Sequence, residues 1–546
     1  MSAMSALPHP PQLKHWPAAP AMQNEAHFGD RVVRCFEQRP RSVHALLEQA
    51  ALQHPNREAL ISGERRETWR SLAAVVGATA AGLQKLGVQR GDRVLLLLGN
   101  GAEFVIAACA LAQLGAVAVP LSVRSAAPEV DYVATQSGAM LAISEDILEP
   151  LLPAGLARLL VSGFAALATI AGKHAGKHAG THAAHAAPPA PVLVDEEDTA
   201  VILYTSGTTG RPKGAMLTHF NIVHSAMHYQ ACMALGASDR SLVAVPLSHV
   251  TGLVAQMHTM LLCAGTLVLL DGFKASAFLQ LAAREKITHT LMVPAMYQLC
   301  LLQDNFAAHG LSAWRVGAYG GAPMAQATIA ALATALPALT LLNCYGATET
   351  TSPATVMPAG GTASHPESVG VAVPCGELRI VDGDGCVLPA GETGEIHIGG
   401  PMVVKGYWNN PQATLENFSA GFWRSGDLGC IDEDGFVQVL DRIKDVINRG
   451  GYKVFSSEVE AVLVQHPAVI EAAIVAYACP VLGERVMAFV TIKASVKISV
   501  SGDDLKAFCA QRLADYKVPE RWSLRSEPLP RNANGKLMKR PLREAV

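Results

Sequence analysis

Short apolar runs recur along the chain, and stretches with helical spacing lie between them. Val94–Leu98 is such a run, helical spacing follows as far as Leu114, and Ala116–Val119 is the next run. Gly115 can end the helix between them. The order strand, helix, strand predicts a βαβ unit, which places parallel strands in a sheet covered by helices. Ser42–His54 has apolar residues on one helical face and predicts an earlier helix.

The same alternation returns in the middle of the chain. Strands are expected at Leu267–Leu270, Thr290–Val293, Val316–Tyr319 and Thr340–Asn343, with helices around Ala275–Lys286 and from about Met324. From Gly370 to Leu440 the pattern changes to short strands and tight turns, which predicts a smaller β-rich subdomain.

The last hundred residues have a pattern of their own. Asp441–Tyr452 is charged and contains two glycines, which is typical of a domain boundary. Ser457 and Glu460 have capping-box spacing for a helix. Strands are expected at Val469–Val475 and Val486–Ile492, and a helix at residues 504–513. These elements predict a compact α+β domain.

The expected fold class is therefore α/β, with a large N-terminal domain (41–441) of parallel βαβ subdomains and a small β-rich subdomain, followed by a small α+β domain (442–546). Residues 1–40 are rich in proline and alanine and predict a loose arm. Residues 171–191 are low-complexity, and their glycines and prolines favour a linker. Spacing of four between His174, His178 and His182 leaves a metal site as the alternative reading of that segment.

Composition excludes several classes of function. Half of the 546 residues are hydrophobic, and the net charge of −3 does not favour nucleic acid as a partner. The eleven cysteines contain no C-x-x-C pair, so we do not expect a zinc site or a disulfide framework. We expect free thiols in a reducing cytosol. We expect no signal peptide, because the N-terminus lacks a basic segment followed by an apolar run. We expect no transmembrane segment, because Gln113, Gly115 and Pro120 interrupt the strongly apolar stretch Phe104–Pro120. These features predict a cytoplasmic protein.

The densest chemistry lies in Tyr204–Gly214, which reads YTSGTTGRPKG. Glycine backbone amides and hydroxyl groups can surround an anion, and a lysine adds positive charge for phosphate. A glycine-rich surface turn is the alternative, and the spacing is not that of a Walker A loop. The loop resembles the phosphate signature of the adenylate-forming superfamily, which includes acyl- and aryl-CoA ligases. The resemblance implies phosphate contacts from Thr205, Ser206, Gly207, Thr208, Thr209, Gly210 and Lys213.

Two more motifs follow in the order of that superfamily. Asn343–Thr350, NCYGATET, resembles its Y-G-x-T-E signature. The resemblance implies that Asn343, Tyr345 and Gly346 hold the adenine, that Thr348 contacts the α-phosphate, and that Glu349 binds Mg²⁺ together with Thr205. A solvated loop carboxylate is the alternative for Glu349. In Gly320-Gly321-Ala322-Pro323, the resemblance implies that Gly320 lines the acyl pocket and that Gly321 and Ala322 line the adenine site; a plain strand-to-helix turn is the alternative.

The remaining motifs lie near the end. Both resemble motifs of the same superfamily, and the roles that follow are what the resemblance implies. In FWRSGDL (Phe422–Leu428), Asp427 would accept hydrogen bonds from both ribose hydroxyls. Arg442, in the next motif, would support the ribose and phosphates. Lys536, in PRNANGK, would bridge the attacking carboxylate and the α-phosphate, and a solvated tail lysine is its alternative. The resemblance implies a mobile C-terminal domain with a hinge at Lys444, and two half-reactions that use ATP, Mg²⁺ and a thiol.

The acid and the thiol depend on weaker signals. Pro246–Leu253, PLSHVTGL, resembles the segment of acyl-CoA ligases whose histidine gates the acyl tunnel, so His249 is a pocket candidate; a core histidine is the alternative. Residues 243–270 contain no acidic residue and no arginine, which favours a fatty or aromatic acid over an amino acid or a dicarboxylate. Gly450 and Gly451 resemble the loop that contacts coenzyme A, although Asn448 stands where some relatives have lysine.

Three functions remain open from the sequence. The leading one is a carboxylate–CoA ligase acting on a fatty (medium/long-chain) or aromatic acid. The second is an acyl-AMP ligase that loads a carrier protein, and the third is a non-catalytic nucleotide-binding relative. The presence of Lys536, Glu349 and Asp427 argues against the third.

Overall fold

A computed structural model describes residues 14–164, 189–205, 211–304, 306–493, 500–531 and 537–546. The chain divides into two compact units. The first comprises Met1–Leu378, Ile398–Trp423 and Asp434–Phe436; the second comprises Arg379–His397, Arg424–Glu433 and Val437–Val546. The low-complexity segment lies outside the described residues except at its end, so its interpretation stays a prediction, as does the boundary at residue 441.

The first unit contains two large sheets. The smaller has six described strands in the spatial order Lys213–Thr218, Thr199–Thr205, Val117–Pro120, Arg93–Leu97, Leu141–Ser144 and Ala157–Leu160. Its strands are parallel except for Lys213–Thr218. The predicted βαβ unit is confirmed, because the helix Ala102–Leu114 joins two parallel neighbours and ends at Gly115, whose φ is 65°. Only glycine adopts this backbone conformation readily.

The larger sheet positions most of the candidate site. Its spatial order is Val371–Ala372, Thr355–Val356, Thr340–Tyr345, Val316–Gly320, His289–Met292, Arg240–Val243, Thr266–Leu269, Glu58–Ser62 and Arg65–Thr68. The central strands are parallel, so their carboxyl ends meet at one edge, where ligands of open α/β sheets bind. The four strands predicted in this region are confirmed within one or two residues.

Helices cover both sheets. The α-helices of the first unit are Val43–Gln53, Trp69–Lys85, Ala102–Leu114, Ala127–Ser137, His219–Met233, Thr259–Cys263, Ala275–Arg284, Pro294–Leu301, Gln326–Ala335, Gly361–Ser364 and Pro411–Asn417. A π-helix spans Thr251–His258, and 3₁₀ turns span Asp146–Leu151, Phe306–His309 and Thr348–Thr350. Ser42 caps the first helix by accepting from the Ala45 amide, as a serine at this position does.

The prediction of a loose arm is wrong for residues 22–36, which form an antiparallel hairpin of Met22–His27 and Arg31–Phe36. Cys35 and Phe36 are fully buried. Arg39 follows the hairpin and donates to the carboxylates of both Glu25 and Glu196. The hairpin is held by these long-range contacts, which the local composition does not reveal.

The second unit combines most of a five-stranded sheet with an α+β layer. The five-stranded sheet has the order Glu377–Val381, Gly394–Gly399, Phe422–Ile431 and Phe418–Ser419, with Val437–Arg442 also paired to Phe422–Ile431. The C-terminal sheet has the order Tyr452–Val454, Ile447–Arg449, Gly483–Ile492 and Val469–Cys479, with Arg521–Arg525 parallel to Gly483–Ile492. The α-helices of the second unit are Ser456–Leu463, Gly502–Ala510 and Lys539–Glu544, and its 3₁₀ turns are Ile443–Asp445 and Asp515–Lys517.

The predicted capping box at Ser457 and Glu460 is wrong. The Ser457 hydroxyl instead donates to the Leu440 carbonyl, and Glu460 accepts from the Ile474 amide. The helix begins two residues earlier than that box requires, at Ser456, whose amide and hydroxyl both donate to Asp441.

Two further predictions concern the cysteines and membrane-spanning helices. Each of the eleven cysteines is a free thiol. Among the described residues, no helix combines the length and the apolar character that crossing a membrane requires.

Candidate active site

The predicted phosphate loop lies between two antiparallel strands of the smaller sheet. Thr205 ends one strand and Lys213 begins the next, and the two residues are register partners. The Thr205 hydroxyl also donates to the Lys213 carbonyl at 3.4 Å. The base of the loop is therefore closed by Thr205 and Lys213. Its centre, Ser206, Gly207, Thr208, Thr209 and Gly210, lies outside the described residues.

Glu349 approaches this base from the larger sheet. It lies in the 3₁₀ turn Thr348–Thr350, just after the strand Thr340–Tyr345, and is 8% exposed. Its Oε1 accepts from the Tyr407 hydroxyl at 3.0 Å and, at the outer limit of a hydrogen bond, from Thr205 Oγ1 at 3.5 Å. The structure thus brings together the two predicted metal ligands, which a solvated loop carboxylate would not do.

Tyr407 was not identified from the sequence as a neighbour of these residues. Besides donating to Glu349, its ring lies 5.2 Å from the Lys213 ammonium, within the range of a cation–π contact. Burial, together with the neighbouring Glu349, raises the pKa of Tyr407 well above its ordinary value, so the phenol keeps its proton and remains a donor. One tyrosine therefore contacts the predicted magnesium ligand and the predicted phosphate lysine.

The turn that carries Thr348 and Glu349 is tightly built. A Cβ on Gly346 would lie 3.1 Å from the Ala354 nitrogen and 3.2 Å from the Thr350 hydroxyl, so a side chain there would displace the turn. Thr351 and Ser352 have φ of 49° and 39°, a conformation that is uncommon for residues other than glycine. Such strain clusters at functional sites, where the surrounding structure enforces it.

The adenine and acyl candidates lie on the same edge of the larger sheet. Gly320 ends its strand as the register partner of Cys344, next to Tyr345. A Cβ on Gly320 would lie 2.4 Å from the Cys344 carbonyl oxygen, so only glycine fits there. Gly321 and Ala322 follow as exposed turn residues. Asn343, two residues before Tyr345, donates its side-chain amide to the Ser368 carbonyl at 3.2 Å.

His249 is half-buried and lies two residues before the start of the π-helix Thr251–His258. Its Nδ1 is 3.1 Å from the Thr251 hydroxyl and accepts from the Thr251 amide at 3.3 Å. A Cβ on Gly252 would lie 2.4 Å from the Pro246 carbonyl oxygen, so this glycine allows the chain to fold back on itself. π-Helical turns occur frequently at functional sites, and the gate role of His249 stays a prediction.

In the second unit, Asp427 and Arg442 are register partners on neighbouring antiparallel strands. Their side chains form an ion pair with Arg442 Nε 2.8 Å from Asp427 Oδ1. Asp427 is buried, and its amide donates to the Ser425 hydroxyl at 3.0 Å. The structure therefore places Arg442 beside Asp427, and the contacts of both residues with ribose and phosphate stay predictions.

The hinge and coenzyme A candidates lie in the same unit. Lys444 is exposed in the 3₁₀ turn Ile443–Asp445, and its carbonyl accepts from Arg543. Gly450 and Gly451 form the turn between two short strands with φ of 60° and 94°. The Asn448 side chain accepts from the Gly451 amide at 3.0 Å, so this asparagine caps the turn. Lys536 lies outside the described residues.

Comparison with known proteins agrees with this geometry. Residues 47–408 match the model of the AMP-binding enzyme family, and residues 458–536 match that of the AMP-binding enzyme C-terminal domain. A feruloyl-CoA synthase of Amycolatopsis is 34% identical over 492 residues, covering 90% of this chain and 96% of that protein. A long-chain-fatty-acid–CoA ligase of Mycobacterium tuberculosis is 31% identical over 507 residues, covering 92% of this chain and 98% of that protein.

The chain is also similar to a solved structure. The o-succinylbenzoate CoA synthetase of Bacillus subtilis, in complex with its acyl-adenylate intermediate, is 29% identical, with a TM-score of 0.80 and coverage of 92% of this chain and 98% of that chain. The same enzyme has been solved with ATP and magnesium ion. The large N-terminal α/β domain and the small C-terminal α+β domain are thereby confirmed. The chain therefore belongs to the AMP-binding enzyme family of the adenylate-forming superfamily, and it is an AMP-forming acid–thiol ligase of the acyl-CoA synthetase type.

Proposed function

We propose that this enzyme activates a fatty (medium- or long-chain) or aromatic carboxylic acid as acyl-AMP and then transfers the acyl group to coenzyme A. The observation that supports the proposal is that Glu349 contacts both Thr205 and Tyr407, while the Tyr407 ring faces Lys213. These residues come from three separate parts of the sequence, and together they offer oxygen ligands and positive charge at one place.

The first half-reaction joins two anions. A carboxylate oxygen attacks the α-phosphorus of ATP, the new P–O bond forms, and the bond to pyrophosphate breaks. Positive charge must stand where the two anions meet. Lys213 holds a β- or γ-phosphate at the base of the loop, and Lys536 bridges the carboxylate and the α-phosphate. Thr348 donates its hydroxyl to the α-phosphate, while Asp427, supported by Arg442, accepts from the ribose hydroxyls.

The oxygen donors of Thr205 and Glu349 fit magnesium, which prefers one or two carboxylates together with phosphate oxygens. When bound, the ion supplies charge neutralisation on the departing pyrophosphate. Tyr407 restrains the Glu349 carboxylate by donating to Oε1, which leaves Oε2 as the oxygen that could bind the ion.

The second half-reaction replaces AMP with a thiol. The sulfur attacks the acyl carbon, the thioester forms, and the bond to AMP breaks. Lys536 cannot keep its place while the thiol approaches the same carbon. The C-terminal domain therefore changes orientation about Lys444, and the turn Gly450–Gly451 contacts coenzyme A.

The acid is inferred from the segment around His249. Residues 243–270 carry no charged side chain of Asp, Glu, Lys or Arg that could pair with an amino group or a second carboxylate. Val250, Leu253 and Met257 are buried apolar residues of this segment. Two of the relatives are named for acids of the proposed kinds, one for the aromatic feruloyl group and one for a long-chain fatty acid.

The direct test is a panel of acids with purified enzyme, ATP and magnesium. Pyrophosphate release is measured for acetate through palmitate, benzoate and coumarate, with and without coenzyme A. We expect release only with longer aliphatic or aromatic acids, and AMP together with acyl-CoA when coenzyme A is present. Equal use of acetate, or no turnover with coenzyme A but acyl transfer to a carrier protein, would contradict the proposal.

A further inference from the structure

One face of the larger sheet connects the predicted acyl pocket with a buried polar cluster. Ala318 and Gly320 are two residues apart, so they lie on the same face of their strand. Leu291 is the register partner of Ala318, and His289, two residues earlier, is the partner of Val316. Ser241 pairs with His289 in turn. The opposite face packs into a separate apolar core with Leu242, Met292 and Tyr319.

The π-helix after His249 supplies the third member of this cluster. Gln256 Nε2 donates to the Leu242 carbonyl at 2.9 Å and to the Ser241 hydroxyl at 3.1 Å. The Ser241 hydroxyl lies 2.9 Å from His289 Nδ1. All three side chains are fully buried. Gln256, Ser241 and His289, hereafter the polar floor, therefore lie beneath the segment that carries the predicted gate.

The hydrogen bonds determine which atoms carry protons. A carbonyl can only accept, so the Gln256 atom facing Leu242 is the NH₂ group and its Oε1 is a bare acceptor. Ser241 accepts from that NH₂ and so directs its own proton to His289 Nδ1. His289 then carries its proton on Nε2, and burial, which lowers the pKa of His289 to about 4, keeps the ring neutral.

Two atoms of the polar floor are left without a hydrogen-bond partner among the described residues. They are Gln256 Oε1, an acceptor, and His289 Nε2, which carries a proton. Buried polar atoms are almost always satisfied, and an unsatisfied one is unfavourable. A hydroxyl group is both a donor and an acceptor, so it complements one atom of each kind. An alkyl chain or an unsubstituted ring satisfies neither.

We propose that the polar floor is a specificity-determining site that selects acids whose far end carries a hydroxyl group, either a ring hydroxyl or a terminal alcohol. The inference rests on the proposed function, because the acid is placed with its carboxylate toward Gly320. Val316, the register partner of His289, lies four residues before Gly320 on the same strand, which is a distance of roughly 13 Å. A tail that passes Ala318 and Leu291 reaches the polar floor at that depth.

The test compares matched acids that differ by one hydroxyl. Coumarate is compared with cinnamate, and ω-hydroxydodecanoate with dodecanoate, which separates the ring from the terminal alcohol as the source. We expect kcat/KM to be at least about tenfold higher for the hydroxylated member of one pair, because a site built for a hydroxyl rejects the analogue that lacks it. In Gln256→Leu we expect that ratio to fall toward one, with the KM for ATP unchanged.

Thr290→Val is the matched control. Thr290 is adjacent to His289 on the same strand, faces the other way, and is also fully buried with its hydroxyl donating to the Leu242 carbonyl at 2.7 Å. We expect it to keep the wild-type ratio. If the wild-type enzyme has a kcat/KM ratio near one in both pairs of acids, the inference is overturned even if no variant folds. It is also overturned if Thr290→Val lowers the ratio as much as Gln256→Leu does. Failure to activate any acid would instead overturn the proposed function.

Discussion

The replacement of Tyr407 by phenylalanine tests the arrangement around Glu349. This change removes the hydroxyl that donates to Glu349 at 3.0 Å and keeps the ring that faces Lys213. A hydrogen bond to a charged group contributes about 1.5–3 kcal/mol, which corresponds to roughly 10- to 150-fold in rate if the bond is fully used in the transition state. The Thr205 contact at 3.5 Å is too long to replace it.

The assay is acid-dependent pyrophosphate release as a function of magnesium concentration. We expect Tyr407→Phe to slow adenylation about tenfold or more and to raise the magnesium concentration needed for half-maximal rate. Tyr297→Phe is the matched control, because Tyr297 is equally buried and its hydroxyl donates to the Ala318 carbonyl at 2.9 Å, away from Glu349. An unchanged magnesium titration in Tyr407→Phe, or the same shift in Tyr297→Phe, would show that the Tyr407 hydroxyl does not position Glu349 for magnesium.

Three further substitutions or deletions test separate parts of the account. Glu349→Ala should lower the adenylation rate and weaken its dependence on magnesium, and an unchanged titration would remove Glu349 from the metal site. Replacing His249 by alanine should change relative kcat/KM among acids more than the KM for ATP, and an equal loss for every acid would contradict a gate. Deleting residues 171–191 should leave activity nearly intact, since the segment reads as a linker; tight zinc binding by the undeleted protein would show that its histidines form a site.

Much of the fold was predictable because local patterns dictate it. The βαβ unit around Ala102–Leu114 needs only apolar runs with a glycine after the helix, and both appear in the sequence. The strands predicted at Thr290–Val293 and Val316–Tyr319 were also accessible, since each is a short apolar run.

The rest depended on contacts between distant residues. Tyr407 meets Glu349 across 58 positions of sequence, and nothing in its local sequence distinguishes it from other tyrosines. The N-terminal hairpin is held by Arg39 and Glu196, 157 residues apart, within a segment whose composition favours a loose arm. Asp441 bonds the start of the helix at Ser456, so the local capping pattern at Ser457 and Glu460 was overridden.

The proposed function requires two arrangements of the C-terminal domain, one for each half-reaction. The most direct measurement is thioester formation from supplied acyl-adenylate and coenzyme A, compared with pyrophosphate release, in Lys536→Ala and Lys444→Pro. Proline fixes φ near −65° and restricts the change that a hinge must make. We expect Lys536→Ala to lose pyrophosphate release but still to form thioester from supplied acyl-adenylate, and we expect Lys444→Pro to release pyrophosphate but to form thioester slowly. Loss of the same half-reaction in both variants would contradict it.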